Sequence, residues 1–301
     1  MLDRRTFIRH SLQAAVISAV GGLPVLDVQP VLAADGPEVA VRKGTDIPAL
    51  VRATVDALGG MKRFVKTGET VVVKPNIGWD RTVDLAANTH PEVVTTVVRL
   101  CLESGAARVR IFDRTCNDPR RCYVQSGIEA ALNTLDDDRV QLEHIDRRAW
   151  TRIALKNGVA LQEWEFYAPA LEADRLINLP IAKHHTISTL TLGMKNIMGV
   201  IGGSRGVLHQ QIDEALVDIN SVIHSDLTLI DATRILVANG PSGGRLEDVR
   251  RLDTLIASSD IVAADSYAAT LFGYQPKDIA TLATAARRGL GVADLKKVRM
   301  V

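Results

Sequence analysis

The chain has 301 residues and a near balance of charge, with 36 Lys and Arg against 35 Asp and Glu. No basic stripe or basic–aromatic cluster breaks that balance, which excludes a nucleic-acid partner. Aromatics make up only 4% while Ala, Val, Leu and Ile are abundant, a composition that favours a layered α/β core over a β-sandwich.

The first segment reads as an export signal. Asp3-Arg4-Arg5-Thr6-Phe7-Ile8-Arg9 carries a twin-arginine pattern, an apolar run follows from Leu12 to Val20, and Val31-Leu32-Ala33 places small residues where a signal peptidase needs them. Residues 1–33 are therefore predicted to be a twin-arginine signal peptide cut near Ala33. The twin-arginine translocase is the partner during export, and the product is a soluble periplasmic or otherwise exported protein. The apolar run is shorter than the ~20 residues of a spanning helix.

Beyond the leader, residues 38–42 alternate like a short strand. Ile47 to Leu58 has helical spacing and stops at Gly59-Gly60. Thr70 to Lys74 is an apolar run closed by Pro75, as in a buried parallel strand. Pro91 opens a helix that ends near Ser104-Gly105, and Arg108 to Asp113 is the next strand, completing a βαβ pattern. Residues 139–175 are irregular and read as a small subdomain or crossover. Asp174 to Pro180 is a strand running into a polar loop. A helix over 210–223, strands at 226–231 and 252–257, and helices near 260–272 and 278–288 complete the chain. The predicted class is α/β: two lobes, 34–175 and 176–301, built on mostly parallel sheets with flanking helices and a cleft between them. Parallel strands of this kind bind ligands at their carboxyl edge.

Chemistry-bearing residues cluster at strand ends. Lys74-Pro75-Asn76 closes one strand, and Asn88-Thr89-His90-Pro91-Glu92 opens a helix whose free N–H groups can hold an anion. The densest stretch runs from Lys183-His184-His185 through Lys195-Asn196-Ile197-Met198-Gly199 to Arg205 and His209. Two chemistries fit it. Lys183, Lys195 and Arg205 can hold a phosphate or carboxylate; alternatively His184 or His185, with His209, can bind a metal ion. Asp231 ends a strand beside the turn Asn239-Gly240-Pro241-Ser242-Gly243-Gly244. Asp260 reads as a helix N-cap, and Asp265 lies inside that helix, where a cap does not explain it. The candidate catalytic residues are Lys195, His185 and Asp265. Lys74, Asn76, Lys183, Asn196, Arg205 and Asp231 are candidates for holding a cofactor or ligand, and His184 and His209 for a metal. Cys101, Cys116 and Cys122 provide neither a disulfide framework nor an iron–sulfur motif. Cys116 and Cys122 can pair or remain thiols.

Taken in order, Lys74-Pro75-Asn76, Thr89-His90-Pro91, Lys183-His184, Met194 to Gly199, Arg205, His209, Asp231, Asn239-Gly240-Pro241 with Gly243, and Asp260-x-Val262-Ala263-x-Asp265 resemble the family called domain of unknown function 362. The resemblance covers roughly 38–291 and implies no general activity. Many members carry or accompany ferredoxin-like clusters, which implies redox work. Any cluster here would belong to a separate ferredoxin-like partner. A looser resemblance links His185, Lys195, Gly199 and His209 to the nickel-pincer lactate racemases, in which a lysine tethers the cofactor and a later histidine binds nickel. Met198 stands where the racemases have proline. That resemblance implies a metal ion or a metal-bearing, nucleotide-like cofactor. Three readings follow: a periplasmic enzyme or cofactor-binding protein acting on a small anionic ligand, redox-linked or metal-dependent; a non-catalytic binding protein for an anionic metabolite; and an assembly factor for a redox complex.

Overall fold

The structure, a computed structural model, describes residues 36–301. The predicted twin-arginine leader and its expected cleavage site lie outside the described residues. In chain order the elements are β1 (Glu38–Lys43), α1 (Ile47–Asp56), β2 (Thr70–Pro75), α2 (Pro91–Glu103), β3 (Arg108–Ile111), α3 (Pro119–Gln125), α4 (Ile128–Asn133) and β4 (Val140–Leu142). Then come β5 (Trp150–Ala154), β6 (Glu163–Tyr167), α5 (Ala168–Glu172), β7 (Arg175–Leu179), β8 (Ile181–His185), β9 (Thr189–Thr191) and α6 (Gly193–Asn196). The last are α7 (Ile212–Val222), β10 (Leu227–Leu236), β11 (Val249–Ser258), α8 (Ile261–Thr270), α9 (Ala280–Arg287) and β12 (Arg299–Met300).

Ten strands form one sheet, in the order β12-β1-β11-β10-β7-β2-β3-β4, with β8 attached to β10 and β9 to β8. From β10 to β4 every pairing on this path is parallel, whereas β11 pairs antiparallel with both β10 and β1. The α/β class is as predicted. The two predicted segments share this sheet instead of building one each: β7 and β10 lie between β1 and β2. The cleft accordingly opens along the carboxyl edge of a single sheet and takes residues from both segments. The irregular region 139–175 contributes β4 to the sheet edge and a separate β5–β6 hairpin.

Alternation of side chains in the strands sorts the core into two layers. Val71 and Val73 of β2 pack with Leu50 and Val55 of α1 and Val94 and Val97 of α2 on one face. Val72 packs with Leu216 and Ile219 of α7 and Val262 of α8 on the other. Being apolar toward both faces, β2 is the run the sequence shows, and each such buried valine stabilises the fold by roughly 1.5–3 kcal/mol. Helix α2 begins at Pro91, where the missing N–H costs nothing. The N-terminus that the sequence offers to an anionic ligand is already occupied: the buried Asp231 Oδ2 accepts the His90 N–H at 2.8 Å. Among the described residues no helix is long and apolar enough to cross a membrane.

Candidate functional site

Residues 175–185 follow β10 almost continuously, first as β7 and then, after a break at Pro180, as β8. The stretch that reads as a polar loop from its composition is thus partly a hairpin, with β8 paired antiparallel to β9. Strand geometry then decides which side chains share a face. Lys183 and His185 both line a cavity of about 460 Å³ at the carboxyl edge of the sheet, with Thr191, the Cα partner of Lys183, beside them. His184 takes the other side, where its Nδ1 accepts the Gly240 N–H at 3.2 Å.

The floor is a network of buried polar groups. Lys74 is fully buried at the end of β2, its Nζ 2.9 Å from Asp113 Oδ1 and bonded to Pro75 O at 2.6 Å and Asn196 Oδ1 at 3.1 Å. Burial pushes the Lys74 amine below its ordinary range, opposed by Asp113. Asn76 donates from Nδ2 to Asn196 Oδ1 at 3.0 Å and accepts Lys183 Nζ at 3.0 Å. Asn196 donates in turn to Asn178 Oδ1 and to the Lys74 carbonyl. Lys183 donates a second bond to Ala87 O at 2.6 Å, which leaves one of the three N–H donors of its ammonium form without a partner among the described residues. Burial holds Lys183 down to about 7.

Lys195 comes from the short helix α6, whose position is set from behind. Asp265, buried on α8, accepts the N–H groups of Gly193 at 2.7 Å and Met194 at 2.9 Å. Asp265 therefore does not enter the cavity; it is a positioning residue for Lys195 and Asn196. Asp231 does not line the cavity either, since Thr233 and His90 take its oxygens. Lys195 Nζ points to His209 Nε2 at 3.3 Å and Met198 Sδ at 3.7 Å, and burial lowers its amine to about 8.

The two cavity histidines are fixed in opposite tautomers. His209 Nδ1 lies 3.2 Å from the Gly206 carbonyl; with a carbonyl as partner, Nδ1 carries the hydrogen and Nε2 presents a lone pair to Lys195. His185 Nδ1 accepts the N–H groups of Ile187 and Ser188 at 3.1 and 3.3 Å, so its hydrogen is on Nε2. The rings stack with centroids 5.6 Å apart. Burial lowers both, His185 to about 3, which favours the neutral ring in each. Arg205 closes the rim by donating to the carbonyls of Arg114, Met198 and Thr115.

The structure thus brings together Lys74, Asn76, Lys183, His185, Lys195, Asn196, Arg205 and His209. It leaves His184, Asp231 and Asp265 out of the cavity wall, and Lys74 lies beneath that wall, touching the site through Asp113 and Asn196. The pairing of His184 with His209 as metal ligands is not formed, because neighbouring residues of a strand point to opposite sides. Among the described residues no group of three or more His, Cys, Asp or Glu could hold a metal ion. The donor set does not fit a metal held by side chains alone. All three cysteines are free thiols; Cys116 lines the cavity and Cys122 is buried. Sequence reasoning missed Asp113 as the partner of Lys74, and it missed Thr191. The alternation Thr189-Leu190-Thr191 was the signal for a strand that could have placed Thr191 beside Lys183.

A solved lactate racemase apoprotein from Thermoanaerobacterium thermosaccharolyticum shares the fold with a TM-score of 0.50 at 9% identity, over 84% of this chain and 59% of that one. The chain thus spans about three-fifths of the racemase's length. A curated thylakoid-associated protein from Synechocystis sp. is 30% identical over 250 residues, covering 80% of this chain and 75% of that protein. The family model described as domain of unknown function (DUF362) matches residues 71–270, which hold every residue of the cavity. With the family motifs gathered at one sheet edge and two-thirds of the chain matched, the protein belongs to the DUF362 family.

Proposed function

We propose that this protein is an exported enzyme or cofactor-binding protein that holds a small anionic ligand in the cavity beside Lys195. The observation that carries this reading is an excess of cations without counter-charges. Lys183, Lys195 and Arg205 line the cavity, and among the described residues none has a carboxylate partner within ion-pair distance. Asp113, the one carboxylate in the lining, is taken by Lys74. Cations held out of water in this way gain most from an anion. The opposed tautomers of His185 and His209 add a hydrogen-bond donor, His185 Nε2–H, and a base, His209 Nε2, at the same place, which suits an enzyme moving a proton on that anion. The fold likeness to a protein named for its action on lactate, a small carboxylate, points the same way. The redox-linked form of this reading needs a ferredoxin-like partner, because three cysteines in the whole chain cannot supply a cluster.

Small carboxylates and phosphate are expected to raise the melting temperature. An anion at a hundred times its Kd stabilises the native state by roughly 2.7 kcal/mol. Lys195→Ala should remove most of this shift, and an unchanged shift would move the site elsewhere. The effect also depends on pH. An anion favours the charged amine, and Lys183 and Lys195 lose their protons near about 7 and about 8. Affinity should therefore be highest below 7 and fall about tenfold once pH passes through both values. A flat profile across that window rules the lysines out as the ligand's partners. Export itself is checked by sequencing the N-terminus of protein recovered from the periplasm, which should begin just after Ala33.

A further inference from the structure

The geometry points to Lys195 as a covalent residue: it forms an imine with the carbonyl carbon of a small 2-oxo carboxylate, whose carboxylate rests on Thr191 and Lys183. This inference rests on the anion-site reading above and names the ligand's second functional group. Thr191 is the independent observation. Thr191 is 4% exposed and lines the cavity, and its Oγ1 has no hydrogen-bond partner among the described residues. A buried hydroxyl without a partner is costly, and a ligand atom in the cavity would satisfy it. Thr191 is the Cα partner of Lys183 on the β8–β9 hairpin and both line the cavity, so its hydroxyl and the remaining N–H of Lys183 are two donors on one wall, suited to one carboxylate.

Lys183 and Lys195 are not equivalent. Lys183 is anchored by Asn76 Oδ1 and Ala87 O and is 1% exposed, which suits a fixed anion contact. Among the described residues Lys195 Nζ has no oxygen partner, only the His209 nitrogen and the Met198 sulfur. A lysine desolvated in this way, with a base in contact, is an activated nucleophile. The steps balance without any oxidant or reductant. The Lys195 ammonium gives a proton to His209 Nε2, and its lone pair then attacks the carbonyl carbon. A second amine proton passes to the former carbonyl oxygen, giving a carbinolamine. The C–O bond breaks as C=N forms, and the hydroxyl leaves as water with the proton returned by His209. One protonated imine and one water result, and His209 ends as it began.

Pyruvate with sodium cyanoborohydride tests this. The expected product is a single adduct, heavier than the protein by the mass of pyruvic acid less one oxygen, located by peptide mapping on Lys195. Acetate, which lacks the carbonyl, should compete with labelling. Thr191→Val, which keeps the shape and removes the hydroxyl, should lower labelling about tenfold at subsaturating pyruvate. Mapping on the wild-type protein keeps the test independent of whether a Lys195 variant folds. No adduct, or label spread over exposed lysines such as Lys62 and Lys277, overturns the imine. If acetate and phosphate still stabilise the protein in that case, the anion site stands and only the covalent step fails. If they do not, both readings fail.

Discussion

Gly199→Ala is expected to destabilise the protein by about 3–5 kcal/mol, the cost of breaking a buried ion pair. A Cβ at position 199 would lie 1.8 Å from Asp113 Oδ1 and 2.5 Å from Lys74 Cε. Neither partner can move aside into water. Lys74 is 0% exposed and Asp113 is 4% exposed, and Asp113 Oδ2 also accepts the Ile77 N–H at 2.7 Å. The backbone on the other side is committed as well, since the Gly199 carbonyl accepts the Arg114 N–H at 2.9 Å. The methyl group therefore separates Lys74 from Asp113 or forces the turn Ile197–Val200, which follows α6, off the sheet edge. Urea denaturation with an unchanged m-value should report the loss, and the anion-induced thermal shift should disappear with it. Gly206→Ala is the control: its Cβ would meet nothing within 4 Å, and its stability should stay within about 0.5 kcal/mol of wild type. A Gly199→Ala protein as stable as that control would show that the close approach at 199 is not needed.

Asp265→Ala is the second large effect, expected at roughly 2–5 kcal/mol, because it leaves two buried N–H groups without acceptors. Those groups belong to Gly193 and Met194, the first turn of the helix that carries Lys195 and Asn196. The loss should thus weaken anion binding at a distance, with the Lys195 chemistry itself intact. Asp265 also gives stability a pH dependence. Burial pushes its carboxyl up to about 7, against the pull of the two N–H groups. Between 3.8, its value in the unfolded chain, and about 7, the folded state keeps a proton that the unfolded state has released. The folded state binds more protons in that window, so stability falls as pH rises through it. Asp265→Asn should flatten this slope in denaturation curves collected across the window. An unchanged slope assigns the proton to another group.

Some of this protein was written in its local sequence. The valine run of β2, Pro91 at the start of α2, the glycines after α1 and α2, and the Asp260 cap on α8, which accepts the Val262 and Ala263 N–H groups, depend on residues a few positions apart. Near-neighbour sterics and period are enough to read them. The ordered motifs from Lys74 to Asp265 carried the family, and the cluster from Lys183 to His209 located the site. The tertiary structure decided everything that depends on residues far apart in the chain. Composition shows Asp231 and Asp265 as acids near a cationic loop, but only long-range packing turns them onto the N–H groups of His90, Gly193 and Met194. Similarly, His184 and His185 are indistinguishable until β8 pairs with β10 and β9; then the two-residue period of a strand sends one to the Gly240 turn and the other to His209. Burial does the rest. The same lysines on an exposed loop would be ordinary solvated charges, whereas the sheet edge strips much of their water and leaves Lys183, Lys195 and Arg205 facing a cavity whose one carboxylate among the described residues, Asp113, is held by Lys74.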